Sequence, residues 1–401
     1  MGLIVQKFGG SSVADAEKLR NVAGRITDAY NEGNNVIVVV SAQGDTTDDL
    51  IEKAKEVNEK PSRREMDVLL SSGEVISMSL LAMTLEKMGY PVISLTGWQA
   101  GINTDSHYGS ARIGTINPER ILAELDKKNI VIVAGFQGIN KYDDITTLGR
   151  GGSDTSAVAL AAVTHADLCE IYTDVDGVYT ADPRICKNAK KLDDISFDEI
   201  LELASLGANV LHNRSVEVAK KYNVNLEVKS SFNKVPGTKV KEESQVEKML
   251  VRGVTRDNNT ARIALIGVPD EPGKAFRVFQ MLAKKNVNVD IILQSIGRND
   301  TKDISFTVSL DHLDTAVETL NDNAGVIGFK EINVDKDVSK VSIVGSGMVN
   351  NPGIAAQMFE ALYDANINIQ MISTSEIKVS VLVKEKYAEA AVNAIHDKFK
   401  L

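Results

Sequence analysis

A glycine-rich stretch with charged neighbours is the strongest chemical signal in the sequence. Residues 148–157 read LGRGGSDTSA, with three glycines among the four residues 149–152. A backbone without Cβ atoms folds back tightly and brings its N–H groups close to a ligand. The alanine-rich run over residues 157–163 predicts a buried helix, and the positive end of its dipole favours an anion at the turn. The stretch therefore predicts an anion cradle, in which Arg150 binds a carboxylate or phosphate and Asp154 orients a reacting group or a cation.

The same glycines are also typical of an ordinary turn between a hairpin and a helix. The spacing is not the GxGxxG fingerprint of dinucleotide-binding proteins, because Asp154 occupies the place of the third glycine. The chain also lacks the spacing of a Walker-type P-loop. From this stretch alone, a ligand cradle and an ordinary turn are equally open, and phosphate chemistry would need another architecture.

A second candidate phosphate loop lies near the N-terminus. Residues 3–7 predict a buried strand, residues 8–12 a turn with two adjacent glycines, and residues 13–33 a helix. Lys7 ends the strand, and open α/β sheets bind their ligands at the carboxyl ends of strands. Although a lysine at this position is more often simply solvated, the adjoining glycines favour a role in neutralising a transferring phosphoryl group.

The next predicted strand carries hydroxyl groups at its carboxyl end. Residues 35–40 form a continuous β-branched run, which is typical of a strand buried on both faces of a parallel sheet. In the polar loop that follows, Ser41 and Thr47 offer hydroxyls to a ligand. Helix capping explains a threonine in this loop equally well.

Two further segments place polar groups near these loops. A capping pattern predicts a helix over residues 62–89. Within this helix, Gly73 beside Glu74 suggests the close approach of a ligand. A glutamate at such a position is, however, more often a surface residue. Residues 168–172 predict another strand. In the loop after it Tyr179 can stack on a base and Arg184 can reach a phosphate, whereas an Asp-Pro turn with a solvated arginine explains Arg184 more simply.

Length and composition restrict the class of protein. A chain of 401 residues predicts two or three domains, and a net charge of −10 argues against nucleic acid or an anionic membrane as a partner. We find neither an apolar run as long as a membrane span nor a signal-peptide pattern, so a cytoplasmic protein is expected. The two cysteines, Cys169 and Cys186, fit a reducing compartment, and the scattered histidines predict no metal cluster.

The last third of the chain contains an internal repeat. Residues 263–295 match residues 343–375 at a constant offset of 80, so that the pair Pro272 and Gly273 recurs as Pro352 and Gly353. Each copy predicts strand, Pro-Gly loop, helix and further strands, which is a ferredoxin-like α+β module. Because the copies hold no cluster of acid, base or nucleophile, they do not predict a second catalytic site.

These features together resemble the aspartate kinases of the short monofunctional type. The resemblance is carried by KFGGSSV at 7–13, TTLGRGGSD at 146–154 and YTDVDGVYTADPR at 172–184, and by the repeated modules, which resemble ACT domains. It implies an α/β amino-acid-kinase fold, with a mostly parallel sheet between helix layers, followed by two α+β ferredoxin-like ACT domains. The implied divisions are a catalytic domain over 1–240, a linker over 241–259, and ACT domains over 260–335 and 336–401.

The resemblance also implies an activity. ATP with Mg²⁺ would phosphorylate the β-carboxylate of L-aspartate to L-4-aspartyl phosphate, the first step toward lysine, threonine and methionine. Because the acceptor is already a carboxylate, no general base is needed, and catalysis depends on positioning and charge neutralisation. No protein ligand for Mg²⁺ is predicted, since ATP oxygens and water can supply most of its ligands.

The site residues implied by the resemblance fall into three groups. The catalytic residues are Lys7 and Asp154, with Lys7 against the transferring phosphoryl group. The ATP-binding residues are Lys7, Phe8, Gly9, Gly10, Ser41, Thr173, Asp174, Tyr179 and Arg184. The aspartate-binding residues are Thr47, Glu74, Arg150, Gly151 and Ser153, with Arg150 for the α-carboxylate and Glu74 for the α-ammonium.

For the ACT pair, the resemblance implies an amino-acid effector near the first Pro-Gly loop. The implied effector-binding residues are Asp270, Pro272, Gly273, Lys274, Ala275 and Gln294. Lysine, threonine or both are the expected effectors, with a coupling of about 1–3 kcal/mol, and a homodimer or higher oligomer through the ACT domains is expected. Which effector acts, and whether a separate small subunit starts at Met249, stays open.

Two other functions compete with this interpretation. A kinase acting on glutamate or acetylglutamate is disfavoured by the SSGE element at residues 71–74 and by the ACT pair. A catalytically silent amino-acid sensor would need a broken phosphate site, yet Lys7, Arg150, Asp154 and Asp174 are all present.

Overall fold

The computed structural model describes residues 2–207, 210–242, 250–297, 299–348 and 351–401. These residues form two compact units. The first unit contains the described residues of Met1–Tyr179, Lys191–Ser205 and Asn209–Val246. The second contains those of Thr180–Lys190, Leu206–Ala208 and Glu247–Leu401.

The first unit alternates strands and helices. Its strands are β1 Leu3–Phe8, β2 Asn35–Val40, β3 Val92–Leu95, β4 Ile102–Thr104, β5 Ile113–Ile116, β6 Ile130–Ala134, β7 Gln137–Ile139, β8 Ile145–Thr147, β9 Leu168–Thr173, β10 Asp194–Ser196, β11 Leu226–Ser230 and β12 Thr238–Lys241. Its helices are α1 Ala16–Asn31, α2 Thr46–Val57, α3 Arg63–Lys87, α4 Glu119–Asp126, α5 Gly152–Val163, α6 Phe197–Ser205 and α7 Asn213–Tyr222.

A large sheet forms the centre of this unit. Its strand order is β10-β12-β11-β9-β1-β2-β6-β3, and every neighbouring pair is parallel except β11 with β12. β2 is buried along most of its length, as its β-branched sequence predicts. A smaller sheet, ordered β5-β4-β7-β8, leads into α5. The carboxyl ends of β1, β2, β6 and β9 lie side by side, so the loops that follow them share one edge.

Side-chain caps set the beginnings of two helices. Asp15 accepts hydrogen bonds from the N–H groups of Glu17 and Lys18, so α1 begins at Ala16 rather than near residue 13 as predicted. Ser62 caps α3 by accepting a hydrogen bond from the N–H of Glu65, as the capping pattern predicts.

α3 is long and apolar enough to cross a membrane by length and composition, although no uninterrupted apolar run marks it in the sequence. The helix nevertheless packs into the core of the first unit, where Met78, Leu81 and Leu85 are buried among residues of α1, β2 and β6. The polar side chains of Asp67 and Glu74 are buried on the same helix. These contacts are those of a core helix.

The second unit contains two antiparallel sheets. Its strands are β13 Gly253–Asp257, β14 Ala261–Pro269, β15 Ile292–Gln294, β16 Thr301–Val308, β17 Glu331–Asp335, β18 Val338–Val344, β19 Met371–Thr374 and β20 Lys378–Lys384, and its helices are α8 Lys274–Lys284, α9 Leu310–Asp322, α10 Ala324–Ile327, α11 Ile354–Asp364 and α12 Ala388–Phe399. The sheet orders are β15-β16-β14-β17 and β13-β18-β20-β19. The repeat thus gives two modules, each with its own buried core.

The predicted domain boundaries are wrong in two places. Residues 253–257, predicted as linker, form β13, which pairs with β18 and completes the sheet of the second module because its first three residues are buried there. Residues 180–190, predicted within the catalytic domain, belong to the second unit because Ala181 and Cys186 are buried in the core of the second module. Part of the predicted linker, residues 243–249 with Met249, lies outside the described residues.

Truncating the buried face of α3 should destabilise the protein far more than truncating its exposed face. Leu81 is 0% exposed and Met83 is 61% exposed. We expect Leu81→Ala to lower the free energy of unfolding by about 2–5 kcal/mol, because it leaves a cavity. The matched Met83→Ala should change it by less than about 0.5 kcal/mol. Urea titration of both variants measures this, and equal effects would contradict a core role for α3.

Candidate active site

The central contact of the site joins β1 to the first turn of α5. The Lys7 Nζ lies 2.6 Å from the Asp154 Oδ1, and both side chains are only 12% exposed. Lys7 is the next-to-last residue of β1, and Asp154 is the third residue of α5. The ion pair therefore ties the central strand to the glycine-rich turn that the sequence singled out.

Glycines shape the two loops around this ion pair. Gly151 has a φ of +69° and precedes α5, and a Cβ atom there would lie 2.2 Å from the Cγ of His212. A Cβ atom at Gly10 would lie 2.6 Å from the carbonyl oxygen of Ala42. Because no other residue type fits either place without displacement of its neighbours, these glycines permit the close approach of backbone that the sequence predicts.

The loops enclose one cavity of about 320 Å³. Its lining residues come from the ends of β1, β2, β6 and β8 and from α2, α3 and α5: Lys7, Gly9, Gly10, Ser41, Ala42, Gly44, Thr47, Glu74, Phe136, Gly149, Arg150, Gly151, Gly152, Ser153 and Asp154. The predicted catalytic and aspartate-binding residues all lie in this wall. A neighbouring cavity of about 610 Å³ shares Thr47, Phe136, Gly149 and Arg150 with it.

Glu74 is a buried acid in the wall of the cavity, and its pKa is shifted. It is 3% exposed, and its Oε1 accepts a hydrogen bond of 3.1 Å from the N–H of Ala42. Its Oε2 has no hydrogen-bond partner within the described structure. Burial raises the pKa of this carboxyl to about 7. A buried carboxylate with one free oxygen suits a cationic group of a ligand.

Gly73, next to Glu74, has a packing role that differs from the predicted one. A Cβ atom at this position would lie 2.8 Å from the Cβ of Ala42. The glycine therefore lets α3 pack closely against the loop after β2, and this packing brings Glu74 to the Ala42 amide. The sequence predicted that a ligand would come close to Gly73, and the segment that the structure places there is the loop after β2.

Arg150 brings a positive charge to both cavities. Its side chain is exposed, and among the residues that the structure describes it forms no ion pair. A planar guanidinium of this kind can bind a carboxylate through two parallel hydrogen bonds.

The predicted ATP-binding residues are only partly gathered at this cavity. Of these, Lys7, Gly9, Gly10 and Ser41 line it. The Phe8 side chain is buried and stacks on Tyr172 at 4.6 Å between ring centroids, so Phe8 can offer a ligand only its backbone. Thr173, Asp174 and Tyr179 lie in and after the end of β9, outside the described wall of the cavity.

Arg184 lies in the second unit, where it forms a two-bond ion pair with Asp182. This contact matches the simpler interpretation of an arginine at an Asp-Pro turn. It does not by itself assign Arg184 to a nucleotide.

Sequence reasoning missed several contributors to the cavity. Ala42 holds Glu74 through its amide, and Phe136, with a φ of +67°, follows β6 directly. Their signal was the position after the carboxyl end of a strand, β2 for Ala42 and its neighbour β6 for Phe136, because neighbouring parallel strands share an edge. Asp67, which is buried on α3 and lines the neighbouring cavity of about 610 Å³, was also missed.

The predicted effector residues of the first ACT module lie on neighbouring segments. Gly273 caps α8 with a φ of +89°, and Pro272, Lys274 and Ala275 lie beside it in the sequence. Asp270 forms an ion pair with Lys302 at 2.5 Å, and a Cβ atom at Gly297 would contact its carboxylate. The Pro-Gly loop therefore approaches the hairpin that follows Gln294, an exposed residue of the edge strand β15.

Mg²⁺, which the resemblance implies, finds no dedicated set of ligands in the described part of the chain. No group of three or more His, Cys, Asp or Glu residues there is arranged to hold a metal ion. Asp154 is occupied by Lys7.

Comparisons with known proteins identify the families that the two parts of the chain resemble. Residues 2–230 match the amino acid kinase family, and residues 263–323 and 341–399 match the ACT domain. The aspartokinase of Bacillus sp. (strain MGA3) is 50% identical over 402 residues, which cover 100% of this chain and 98% of that relative.

Two solved structures of E. coli aspartokinase III are similar over nearly the whole chain. The R-state complex with aspartate and ADP has a TM-score of 0.84 at 25% identity and covers 100% of both chains. The T-state complex with lysine and aspartate has a TM-score of 0.78 at 26% identity and covers 99% of each chain. The predicted fold class and the predicted class of enzyme are confirmed. On this evidence the chain belongs to the aspartokinase family.

Proposed function

We propose that the first unit transfers the γ-phosphoryl group of ATP to the β-carboxylate of L-aspartate and forms L-4-aspartyl phosphate. One observation carries this proposal: a single cavity holds Lys7, Arg150, Asp154 and the half-partnered Glu74. An amino acid with two carboxylates, next to a phosphate chain, presents the charges that complement this set. E. coli aspartokinase III in complex with aspartate and ADP supports the same pair of ligands.

The acceptor would be held at its α-carbon end. Arg150 binds the α-carboxylate and Glu74 binds the α-ammonium, because among the described residues Arg150 forms no ion pair and the Glu74 Oε2 has no hydrogen-bond partner. Thr47 and Ser153 offer hydroxyls, and Gly151 offers its backbone. This arrangement leaves the β-carboxylate of aspartate pointing toward Lys7.

Phosphoryl transfer then needs no proton transfer. A β-carboxylate oxygen attacks the γ-phosphorus, the bond to the β,γ-bridging oxygen breaks, and ADP leaves with the electron pair. The Lys7 ammonium, held by Asp154, neutralises negative charge on the transferring group. Mg²⁺ bound with ATP would neutralise further phosphate charge. The backbone of Gly9 and Gly10 and the Ser41 hydroxyl border the same space.

The rest of ATP would extend along the edge of the sheet. Thr173 ends β9, which neighbours β1, and Asp174 and Tyr179 follow it. We propose these residues for the nucleoside, together with the backbone of Phe8, and keep Arg184 as a candidate phosphate contact. A catalytic domain over residues 1–240, without the segment 180–190, is the corresponding division of the chain.

The second unit would regulate this reaction as paired ACT domains. We propose that lysine, threonine or both bind near Asp270, Gly273 and Gln294, as end products of the pathway that begins with aspartyl phosphate. E. coli aspartokinase III in complex with lysine supports such an effector. The edge strand β15 exposes Ile292 and Leu293, which supports a homodimer or higher oligomer formed through the ACT domains. The negative net charge and the two buried free cysteines support a cytoplasmic location.

The activity can be tested by trapping the acyl phosphate with hydroxylamine. We expect a hydroxamate with aspartate and ATP and none with glutamate. Lys7→Ala should lower kcat by about 100- to 1000-fold, because it removes charge stabilisation in the transition state. Lys87→Ala, at the exposed end of α3, is the matched control and should change kcat less than about twofold. Near-normal turnover of Lys7→Ala would refute the proposed mechanism.

The raised pKa of Glu74 predicts a pH-dependent affinity for aspartate. Below about pH 7 the carboxyl is protonated and cannot pair with the α-ammonium, so KM for aspartate should rise as pH falls through this value. Glu74→Gln should have a high KM that varies little with pH. A wild-type KM that is constant from pH 6 to pH 8 would contradict this role.

The same shift predicts a pH-dependent stability. Between the ordinary pKa of 4.5 and the raised value of about 7, the folded protein binds this proton more tightly than the unfolded chain does. The free energy of unfolding should therefore fall as pH rises through this window, by about 3 kcal/mol at most from this group. Urea titrations at pH 5 and pH 8 measure the loss, which Glu74→Gln should lack.

Feedback can be tested on the full chain. Lysine and threonine, alone and together, should lower the initial rate of hydroxamate formation. Asp270→Ala should raise the effector concentration for half-inhibition by about 5-fold or more, because it removes a charged group proposed to contact the effector. Glu331→Ala, on the opposite edge strand β17, is the control. Unchanged inhibition in Asp270→Ala would move the effector site elsewhere.

A further inference from the structure

Asp67 is a buried carboxylate that the proposed chemistry does not use. It lies on α3, seven residues before Glu74, and its side chain is fully buried. Seven residues are two helical turns, so both carboxylates lie on one face of α3, about 10 Å apart along its axis. Burying a carboxylate is costly unless it is hydrogen-bonded, so its partners indicate what it stabilises.

The partners of Asp67 are three donors from two separate segments. Its Oδ2 accepts hydrogen bonds from the N–H groups of Gly109 and Thr147, each at 2.9 Å. Its Oδ1 accepts a third, of 2.8 Å, from the Thr147 hydroxyl. Burial raises the pKa of Asp67, while these three hydrogen bonds favour the ionised form and oppose that rise. The carboxylate is therefore a junction between α3 and two loops.

Both of these segments lie next to the turn that carries Arg150. Thr147 ends β8 and lies three residues before Arg150 in the chain. Gly109 packs behind the turn, because a Cβ atom at Gly149 would lie 3.1 Å from the Gly109 carbonyl oxygen. Asp67 thus holds the start of the Arg150 turn and also the backbone that supports it.

Asp67 lies away from the phosphate side of the site. It lines the cavity of about 610 Å³, whose wall includes Arg150, and in the described structure it is not part of the wall that contains Lys7 and Asp154. Its influence on the reaction therefore passes through the position of Arg150.

We propose that Asp67 is a positioning residue that fixes the Arg150 turn and so sets the affinity of the site for the α-carboxylate of the acceptor. The role of Arg150 in this statement rests on the proposed function. The hydrogen bonds of Asp67 to Gly109 and Thr147 do not.

The arrangement of donors predicts different outcomes for two substitutions. In Asp67→Asn, the amide oxygen can keep both backbone N–H groups, and its NH₂ group can donate to a reoriented Thr147 hydroxyl. Asp67→Ala leaves both backbone N–H groups without a partner. The asparagine variant should therefore preserve the turn, whereas the alanine variant should release it.

Steady-state kinetics of the full chain test the effect on the reaction. Asp67→Ala should raise KM for aspartate by about 10- to 100-fold, with kcat and KM for ATP within about threefold of wild type, since a displaced Arg150 loses ground-state and transition-state binding alike. Asp67→Asn should stay within about threefold for all three constants. Asp144→Asn is the control, because within the described part of the chain this nearby carboxylate contacts the side chains of Arg64 and Tyr108 alone.

Amide hydrogen exchange tests the loop itself, independently of any activity. Asp67→Ala should lose protection in peptides that cover residues 104–113 and 145–152, and Asp67→Asn should keep it. If wild type makes no aspartyl phosphate, the proposed function fails, yet the exchange data still decide whether Asp67 holds the turn.

Three results would overturn the positioning role. One is an unchanged KM for aspartate in Asp67→Ala, and another is unchanged exchange in its two loops. The third is an equal loss in Asp67→Asn and Asp67→Ala, which would show that the charge matters and the hydrogen-bond geometry does not.

If Asp67→Ala does not fold, a double-mutant cycle replaces it. Thr147→Val removes one of the three hydrogen bonds and should have a small effect on KM for aspartate. Combined with Asp67→Asn, it leaves the new amide group unpaired and should raise KM by more than the two single effects together. Additive effects would refute the proposal.

Discussion

The ion pair between Lys7 and Asp154 is the contact on which the site depends. Its two charges are largely removed from water, and leaving either one unpaired would cost about 3–5 kcal/mol. The pair therefore holds the end of β1 against the first turn of α5. Because β2 and β9 flank β1, the loops after all three strands lie near this same turn. The position of the Lys7 ammonium group therefore depends on the pairing of all three strands.

Much of this arrangement could be predicted from the sequence, since it follows from local patterns. The β-branched run of β2 and the glycines before α5 determine local backbone structure, and strands β1, β2 and β9 were all expected near their observed bounds. The ends of parallel strands necessarily meet at one edge of a sheet. For this reason, Lys7 and Ser41 could be expected at one edge of the sheet before their distances were known, whereas Arg150, which follows β8 of the smaller sheet, was added to the same site through the family resemblance.

What the sequence could not show is pairing between distant segments. Nothing within Gly253–Asp257 indicates that its partner is β18, and nothing near Ala181 indicates burial among residues of the second ACT module. Gly73 looked like a place for a ligand because its neighbour Ala42 is distant in sequence. Asp67 gave no signal because an acid at a helical position is usually solvated, and only the folded chain shows the N–H groups that surround it.

The pairing of β13 with β18 means that one ACT module is inserted into the other. Asp257 pairs with Lys340, and the whole first module, β14 to β17 with its helices, is the connection between these two adjacent antiparallel strands. The ends of that connection lie close together, as in tolerated domain insertions. A short hairpin turn could therefore replace the first module and leave the sheet of the second unbroken, whereas a cut between the modules would separate β13 from its sheet. The modules repeat in sequence but are nested in the fold.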